Sequence, residues 1–226
     1  MKYLWTEDTG AGLHFWQLVN RLFFDGEMEV NSKESNQGLL DAVSQIDFND
    51  RNTYYIAFDY VVDNQDIRNK YRLLKSFAQK SNNQIVILDM ICFEYLILAF
   101  DKLTEWTGTG KKDKVKMREQ ILAATKEHKI DLSKIEDKKT LQYLAGFKKF
   151  STERVMKSLT GELTDNEDWT IKGKYMGTCW YNDCCISNYP EKPKCGKPEV
   201  VMGDEKMRTL IQSDEIQRVL KDIKVD

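Results

Sequence analysis

The stretch TYYIAFDYVVDN, residues 53–64, joins an apolar and aromatic run to two aspartates, Asp59 and Asp63. A run of β-branched and aromatic residues without polar alternation predicts a strand covered on both faces, as in the centre of a parallel sheet. The carboxyl end of this predicted strand therefore carries an acidic side chain, Asp59. The next question is whether neighbouring strands also end in acidic residues.

Similar apolar segments precede and follow this stretch, and helical patterns separate them. Strands are predicted at residues 3–7, 28–32, 53–61 and 84–90. Strands that alternate with amphipathic helices are typical of parallel α/β sheets. We therefore predict an α/β domain over residues 1–106, with a doubly wound, mostly parallel four-stranded sheet.

Beyond Trp106 the sequence changes character. The Gly/Lys-rich segment TGTGKKDK marks a boundary, and no later segment has a comparable strand pattern. Helices are predicted at residues 113–129, 137–150 and 151–163. We therefore predict a helical region over residues 107–226, with a cysteine-rich loop at 179–195.

Composition limits the classes of partner. The chain has 226 residues with a net charge of −2, so any nucleic acid must bind through a local basic face. Lysine runs such as GKKDKVK, DKKT and FKKF are candidates for that face, although solvated helix surface is their default interpretation. No stretch reaches the roughly 18 apolar residues of a membrane span, and the start lacks the features of a signal peptide. We expect a cytoplasmic protein that does not bind membranes, and we leave a protein partner and homo-oligomerisation open.

Acidic residues follow three of the four predicted strands. The carboxyl ends of parallel strands share one edge of the sheet, where ligand sites form. Clustered carboxylates suit a hard cation such as Mg²⁺ or Mn²⁺. We predict that Glu7, Asp59 and Asp63 bind the metal and act in catalysis. Further candidates at the same edge are Asp8, Asp89 and Glu94.

Simpler interpretations exist for some of these acids. Aspartate is common just past a strand because it caps the next helix, which would explain Asp63. Glu94 lies in the apolar run ICFEYLILAF, where it either belongs to the site, pairs with a buried cation or contacts the positive end of its helix.

The arrangement resembles the Toprim domain of primases, topoisomerases and several defence and repair nucleases. That family has a glutamate after its first strand and an Asp-x-Asp motif after its third. Glu7 in YLWTED and Asp59 in IAFDYVVDN match these positions, whereas position 61 is valine and the next acid is Asp63. The resemblance implies a metal-dependent nuclease in which Glu7 acts as general base or metal ligand. Asp59 would be the main ligand, and Asp63 an outer ligand through water.

Two alternatives belong to other functional classes. Receiver domains also place acids after their first and third strands, but no serine or threonine ends strand 4 here and no lysine ends a fifth strand. The other alternative is a non-catalytic α/β protein that binds a protein partner through its helical and cysteine-rich parts.

The cysteine-rich loop has its own chemistry. Four thiols close together on irregular chain suit a structural zinc ion. The spacing is irregular, so buried reduced cysteines and a redox role are alternatives. The four candidate zinc ligands are Cys179, Cys184, Cys185 and Cys195.

Overall fold

A computed structural model describes residues 1–101, 103, 112–164, 208 and 212–224, apart from the side chains at positions 10, 11, 14 and 164. Four parallel strands form its main sheet in the order β2-β1-β3-β4. They are β1 (Lys2–Thr6), β2 (Met28–Ser32), β3 (Thr53–Ala57) and β4 (Ile85–Ile87). This sheet, with its helices and the helical region that follows, confirms the predicted α/β fold class.

Four α-helices lie in the α/β part, and four more have described bounds in the remainder of the chain, together with a short 3-10 helix at Leu132–Lys134. The first four are α1 (Gly10–Phe23), α2 (Asn36–Ser44), α3 (Gln65–Lys80) and α4 (Phe93–Ala99). The others are α5 (Lys112–Ala124), α6 (Lys138–Ala145), α7 (Thr152–Thr164) and α8 (Asp214–Leu220). Right-handed crossovers place α1 on one face of the sheet and α2 and α3 on the other.

The chain changes direction across the sheet between β1 and β3. The connection after β1 leads outward to β2, whereas the connection after β3 leads the opposite way to β4. In open parallel sheets, the crevice at such a switch point is the usual ligand position. Thr6 is in register with Ala57, so Glu7 and Asp59 follow neighbouring strand ends at this switch point.

One hydrophobic core runs through both parts of the chain. Leu4 of β1, Phe15 of α1, Leu96 of α4 and Leu159 of α7 are fully buried in the same cluster. Helix α7 packs against α4, and the rings of Phe15 and Phe93 lie 5.2 Å apart. This packing brings the start of α7 to the carboxyl edge of the sheet.

The predicted helix over 113–129 is wrong at its end. Helix α5 stops at Ala124, and a short antiparallel hairpin follows, formed by β5 (Thr125–Lys126) and β6 (Lys129–Ile130). Its two turn residues, Glu127 and His128, have positive φ values of 51° and 62°. Two consecutive positive φ values suit a tight two-residue hairpin turn and cannot continue a helix.

The N-cap of α2 is Ser35, whose hydroxyl accepts from the Gly38 amide at 3.0 Å. The Asn36 side chain is thereby left to contact the end of β3. In the part of the chain that is described, no helix has both the length and the apolar character to cross a membrane.

Candidate acidic site at the sheet edge

Glu7 and Asp59 form the centre of the site. Burial raises the pKa of both carboxyl groups, whereas the Asp59 side chain and the backbone N–H of Asn36 each lower the pKa of Glu7 against that effect. The side-chain amide nitrogen of Asn36 lies 3.5 Å from the Asp59 carbonyl oxygen. Because burial raises the pKa of Glu7 to about 8 and that of Asp59 well above its usual range, this pair holds a proton at neutral pH in the absence of a cation.

Asp59 has one oxygen without a partner. The residue is 7% exposed, and no described residue forms a hydrogen bond with its Oδ1. A buried polar atom left unsatisfied costs about 1–3 kcal/mol. This oxygen therefore points to a missing proton donor or cation.

Asp8 is fixed by its own loop. Its Oδ2 accepts from Thr6 Oγ1 at 2.7 Å and from Trp16 Nε1 at 3.2 Å. Position 12 must stay small, because a Cβ on Gly12 would lie 2.6 Å from the Asp8 Cβ. Asp8 thus forms a rigid second acid beside Glu7.

Two further glutamates complete the acidic cluster, which we define as Glu7, Asp8, Asp59, Glu94 and Glu153. Glu94 lies in the first turn of α4 and is 8% exposed. Glu153 lies in the first turn of α7 and repels both Glu7 and Asp59. Glu153 could not be predicted as a site residue from the sequence, because an acid in the first turn of an amphipathic helix is common. Only tertiary packing brings it to the acidic cluster.

Burial raises the pKa of every member of the acidic cluster. It raises the pKa of Glu7 to about 8, with repulsion from Asp8 adding to the effect. Burial and repulsion from Asp8 raise the pKa of Glu94 to about 7, although its own backbone N–H and Lys157 oppose the shift. Burial raises the pKa of Asp59 well above its usual range, with repulsion from Glu7 next in size. It also raises the pKa values of Asp8 and Glu153.

Lys157 is a basic residue whose charge acts on three members of the acidic cluster. Its charge lowers the pKa values of Asp8, Glu94 and Glu153 against the larger effect of burial. It lies one turn beyond Glu153 on α7, so both side chains project from the same side of the helix. The helical region therefore contributes one acid and one cation to the site.

Asp63 contacts the start of α7, whereas the sequence predicts that it binds the metal together with Glu7 and Asp59. Its Oδ2 accepts from the backbone N–H and the hydroxyl of Thr152, both at 2.7 Å. The Thr152 hydroxyl in turn accepts from the Ile130 amide at 3.0 Å. Asp63 thus satisfies the first turn of α7, and no hydrogen bond among the described residues joins it to Glu7 or Asp59. Its Oδ1 has no partner among the described residues.

Asp89 also belongs to another cluster. Its Oδ1 lies 3.0 Å from His128 Nε2, and its Oδ2 accepts from the Arg218 guanidinium. The His128 Nδ1 lies 3.1 Å from the Tyr60 carbonyl oxygen. These contacts tie the β5–β6 hairpin and α8 to the end of β4. Asp89 is thereby paired with Arg218 and His128 and does not belong to the acidic cluster.

The described carboxylates meet some, but not all, of the ligand requirements of a hard divalent cation. Within the described ranges, no group of three or more His, Cys, Asp or Glu side chains is arranged to hold a metal ion. Mg²⁺ typically takes one or two protein carboxylates and completes its shell with water. Glu7 and the unpartnered Oδ1 of Asp59 meet that smaller requirement.

The predicted zinc ligands Cys179, Cys184, Cys185 and Cys195 lie outside the described residues, as does the whole 179–195 loop. Cys92, which is described, is a fully buried thiol at the start of α4. Burial, with repulsion from Glu94 and Asp59, raises its pKa well above its usual range, so it stays a neutral thiol.

No protein family model, curated protein or solved structure matches this chain. Functional inference therefore depends on the geometry and charge of the acidic cluster.

Proposed function

We propose that this protein is a divalent-metal-dependent nuclease, or a nuclease-like phosphodiesterase, with a Toprim-like site at Glu7 and Asp59. The unpartnered Oδ1 of Asp59, buried beside Glu7 at the switch point of the sheet, carries the proposal. Chemistry supports it, because carboxylate oxygens that hold protons in the absence of a cation can exchange those protons for Mg²⁺ or Mn²⁺.

Three residues of the acidic cluster have a proposed part in hydrolysis. Glu7 and Asp59 would hold the metal, which supplies positive charge to a phosphoryl oxygen. Glu7 would take the proton of the attacking water as the new P–O bond forms. Glu94 would give its proton to the leaving oxygen as the ester P–O bond breaks. A pKa of about 7 suits Glu94 as a proton donor near neutral pH.

Asp63 has a smaller part in this proposal than the sequence pattern suggests. Because its Oδ2 is bound to Thr152, only its Oδ1 is left to reach a metal-bound water. We therefore propose one cation at Glu7 and Asp59, with Asp63 as an outer ligand at most.

A nicking assay tests catalysis. Supercoiled plasmid, single-stranded DNA and RNA would be incubated with wild type, Glu7→Gln and Asp59→Asn in Mg²⁺, Mn²⁺ or EDTA. We expect metal-dependent cleavage by wild type and a loss of about 100-fold or more in both variants, as is typical when an acid–base group is removed. Glu136→Gln, on an exposed residue, is the matched control and should cleave like wild type.

Two results of this assay would reject a nuclease. One is equal cleavage by wild type, Glu7→Gln and Asp59→Asn, which would indicate a contaminant. The other is no cleavage of any substrate by wild type.

A non-catalytic protein that binds a partner is the second candidate. The structural contacts of Asp63 and Asp89 favour it, because they remove two predicted acids from the metal site. Titration of Mn²⁺ followed by electron paramagnetic resonance separates the two candidates. Saturable binding that Asp59→Asn abolishes supports the nuclease, and no saturable binding supports the partner-binding protein.

Zinc binding by Cys179, Cys184, Cys185 and Cys195 is a separate proposal. Four thiolates give zinc its preferred tetrahedral sulfur ligands and order a loop with little core of its own. Metal analysis of the purified full chain should find about one equivalent of zinc, lost when Cys179 and Cys184 are both changed to serine. A content below roughly one tenth of an equivalent would remove the proposal.

A further inference from the structure

A cavity lined by cations opens beside the acidic cluster, between the end of α6 and the start of α7. Its volume is about 530 Å³, within the range of roughly 300–1,000 Å³ that small-ligand pockets have. We call this cavity the basic cleft. It is lined by Lys148, Lys149, Arg154 and Lys157 together with Phe147 and Ser158.

The local structure explains why these cations converge. Arg154, Lys157 and Ser158 are spaced three and four residues apart on α7, which places them on one side of the helix. Lys148 and Lys149 lie on the short turn between α6 and α7. The Arg154 guanidinium donates to the Lys149 carbonyl oxygen at 3.5 Å, which holds that turn against the helix.

The cations of the basic cleft form no close ion pair within the described part of the chain, although Arg154 and Lys157 act at longer range on Glu153. None of the four cations lies within 4.0 Å of a described carboxylate, whereas Lys70, Lys114, Lys116 and Lys139 each form an ion pair. Four cations around one concave surface concentrate positive potential there. The basic cleft is therefore suited to an anion of several charges.

Lys157 connects the basic cleft to the acidic cluster. It lines the cleft, and its charge also acts on Asp8, Glu94 and Glu153. Through Lys157, the basic cleft therefore adjoins the side of the acidic cluster formed by Asp8, Glu94 and Glu153.

We propose that the basic cleft binds the phosphates of single-stranded nucleic acid and leads the strand to the acidic cluster, an inference that rests on the proposed nuclease function. The half-buried Phe147 supplies an apolar wall among the cations, and its ring packs edge-on against Tyr143 at 5.4 Å. Aromatic surface beside a positively charged groove is typical of proteins that bind single strands.

Fluorescence anisotropy with a labelled oligothymidylate in EDTA measures binding apart from catalysis. The test variant is the triple change Lys148→Ala, Lys149→Ala and Arg154→Ala. The control variant is Lys126→Ala, Lys129→Ala and Lys134→Ala, which removes the same charge from other exposed lysines. We expect the test variant to weaken binding at least tenfold and the control less than twofold. The slope of log K against log salt should fall by about 0.7 for each lost phosphate contact.

Further variants exclude misfolding and separate this inference from the nuclease proposal. Lys148→Arg with Lys149→Arg keeps the charge and should bind like wild type, and circular dichroism should show all variants folded. Glu7→Gln should retain full oligonucleotide binding. If binding depends on the basic cleft but no substrate is cleaved, the cleft assignment stands and the nuclease proposal fails.

Several outcomes would overturn the basic cleft as a single-strand site. These are no binding by wild type, equal losses in the test and control variants, or tighter binding of a duplex of the same sequence. Equal binding of poly-glutamate would show that the cleft recognises acidic polypeptide and not nucleic acid.

Discussion

At the scale of single residues, protons and a divalent cation compete for the carboxyl groups of the site. Burial makes the ionised forms of Glu7 and Asp59 costly, and the charge of Glu7 adds to that cost for Asp59. Protonation and cation binding are therefore competing ways to stabilise the same carboxyl groups, which makes the stability of the protein depend on pH and on metal.

We predict that metal-free protein loses stability as pH rises. The pKa of Glu7 is raised from 4.5 to about 8 and that of Glu94 to about 7, so the folded state binds more protons than the unfolded state between these limits. This contribution is complete below about pH 4.5 and is lost as pH rises towards 8. One pKa unit corresponds to about 1.4 kcal/mol, so Glu7 alone contributes on the order of a few kcal/mol.

Urea unfolding in EDTA at pH 5, 6, 7 and 8 measures this effect. Glu7→Gln, which cannot ionise, should flatten the fall in the free energy of unfolding, whereas exposed Glu136→Gln should not. Mn²⁺ should raise the melting temperature of wild type more at pH 8 than at pH 5.5, because fewer protons compete there. Parallel pH profiles for wild type and Glu7→Gln would contradict the assignment of this proton to Glu7.

At the scale of elements, Asp63 shows how a residue that resembles a ligand can be a helix cap. It lies just beyond β3 and satisfies the backbone N–H of Thr152 at the start of α7, 89 residues further along the chain. The cap joins the sheet edge to the helix that brings in Glu153 and Lys157. Asp63 therefore affects the acidic cluster through the position of α7.

We predict that Asp63→Ala lowers the free energy of unfolding by about 0.5–2 kcal/mol, the range for loss of an N-cap. Asp63→Asn keeps a carbonyl oxygen that can accept from Thr152, so it should stay close to wild type in stability and in Mn²⁺ affinity. Urea unfolding and Mn²⁺ titration measure the two quantities, with Asp59→Asn as the variant that loses metal affinity. A large loss of Mn²⁺ affinity in Asp63→Asn would instead make Asp63 a direct ligand.

At the scale of the whole molecule, the sequence predicts what depends on local pattern. Apolar runs separated by helical periodicity predict the parallel sheet, and that topology alone brings Glu7 and Asp59 to neighbouring strand ends. Glu153 and Lys157 could not be found in this way, because their helix reaches the site by packing on α4. Asp89 also looks like a site residue in the sequence, because it ends a predicted strand. Its partners His128 and Arg218 come from distant segments, so the sequence pattern could not show that it pairs with them instead.

The same long-range packing holds the carboxyl-terminal segment on the sheet. The Arg218–Asp89 ion pair is only partly shielded, with the Asp89 side chain 44% exposed, so it contributes at most about 1 kcal/mol. Tyr55 of β3 forms a better shielded contact. Its hydroxyl donates to the Lys224 carbonyl oxygen at 2.9 Å and accepts from the Lys224 backbone N–H at 3.1 Å. Together these contacts anchor α8 to the sheet.

We predict that Tyr55→Phe loosens α8 without unfolding the sheet, because both hydrogen bonds to Lys224 are lost while the buried ring keeps its packing. The expected cost is about 1–3 kcal/mol. Hydrogen exchange followed by mass spectrometry should show faster exchange in residues 212–224 and unchanged protection in β1 and β3. Tyr3→Phe is the control, since the Tyr3 hydroxyl contacts only the Met1 sulfur at 3.6 Å. Faster exchange throughout the sheet would mean that α8 is part of the cooperative core, and no change would mean that other contacts hold it.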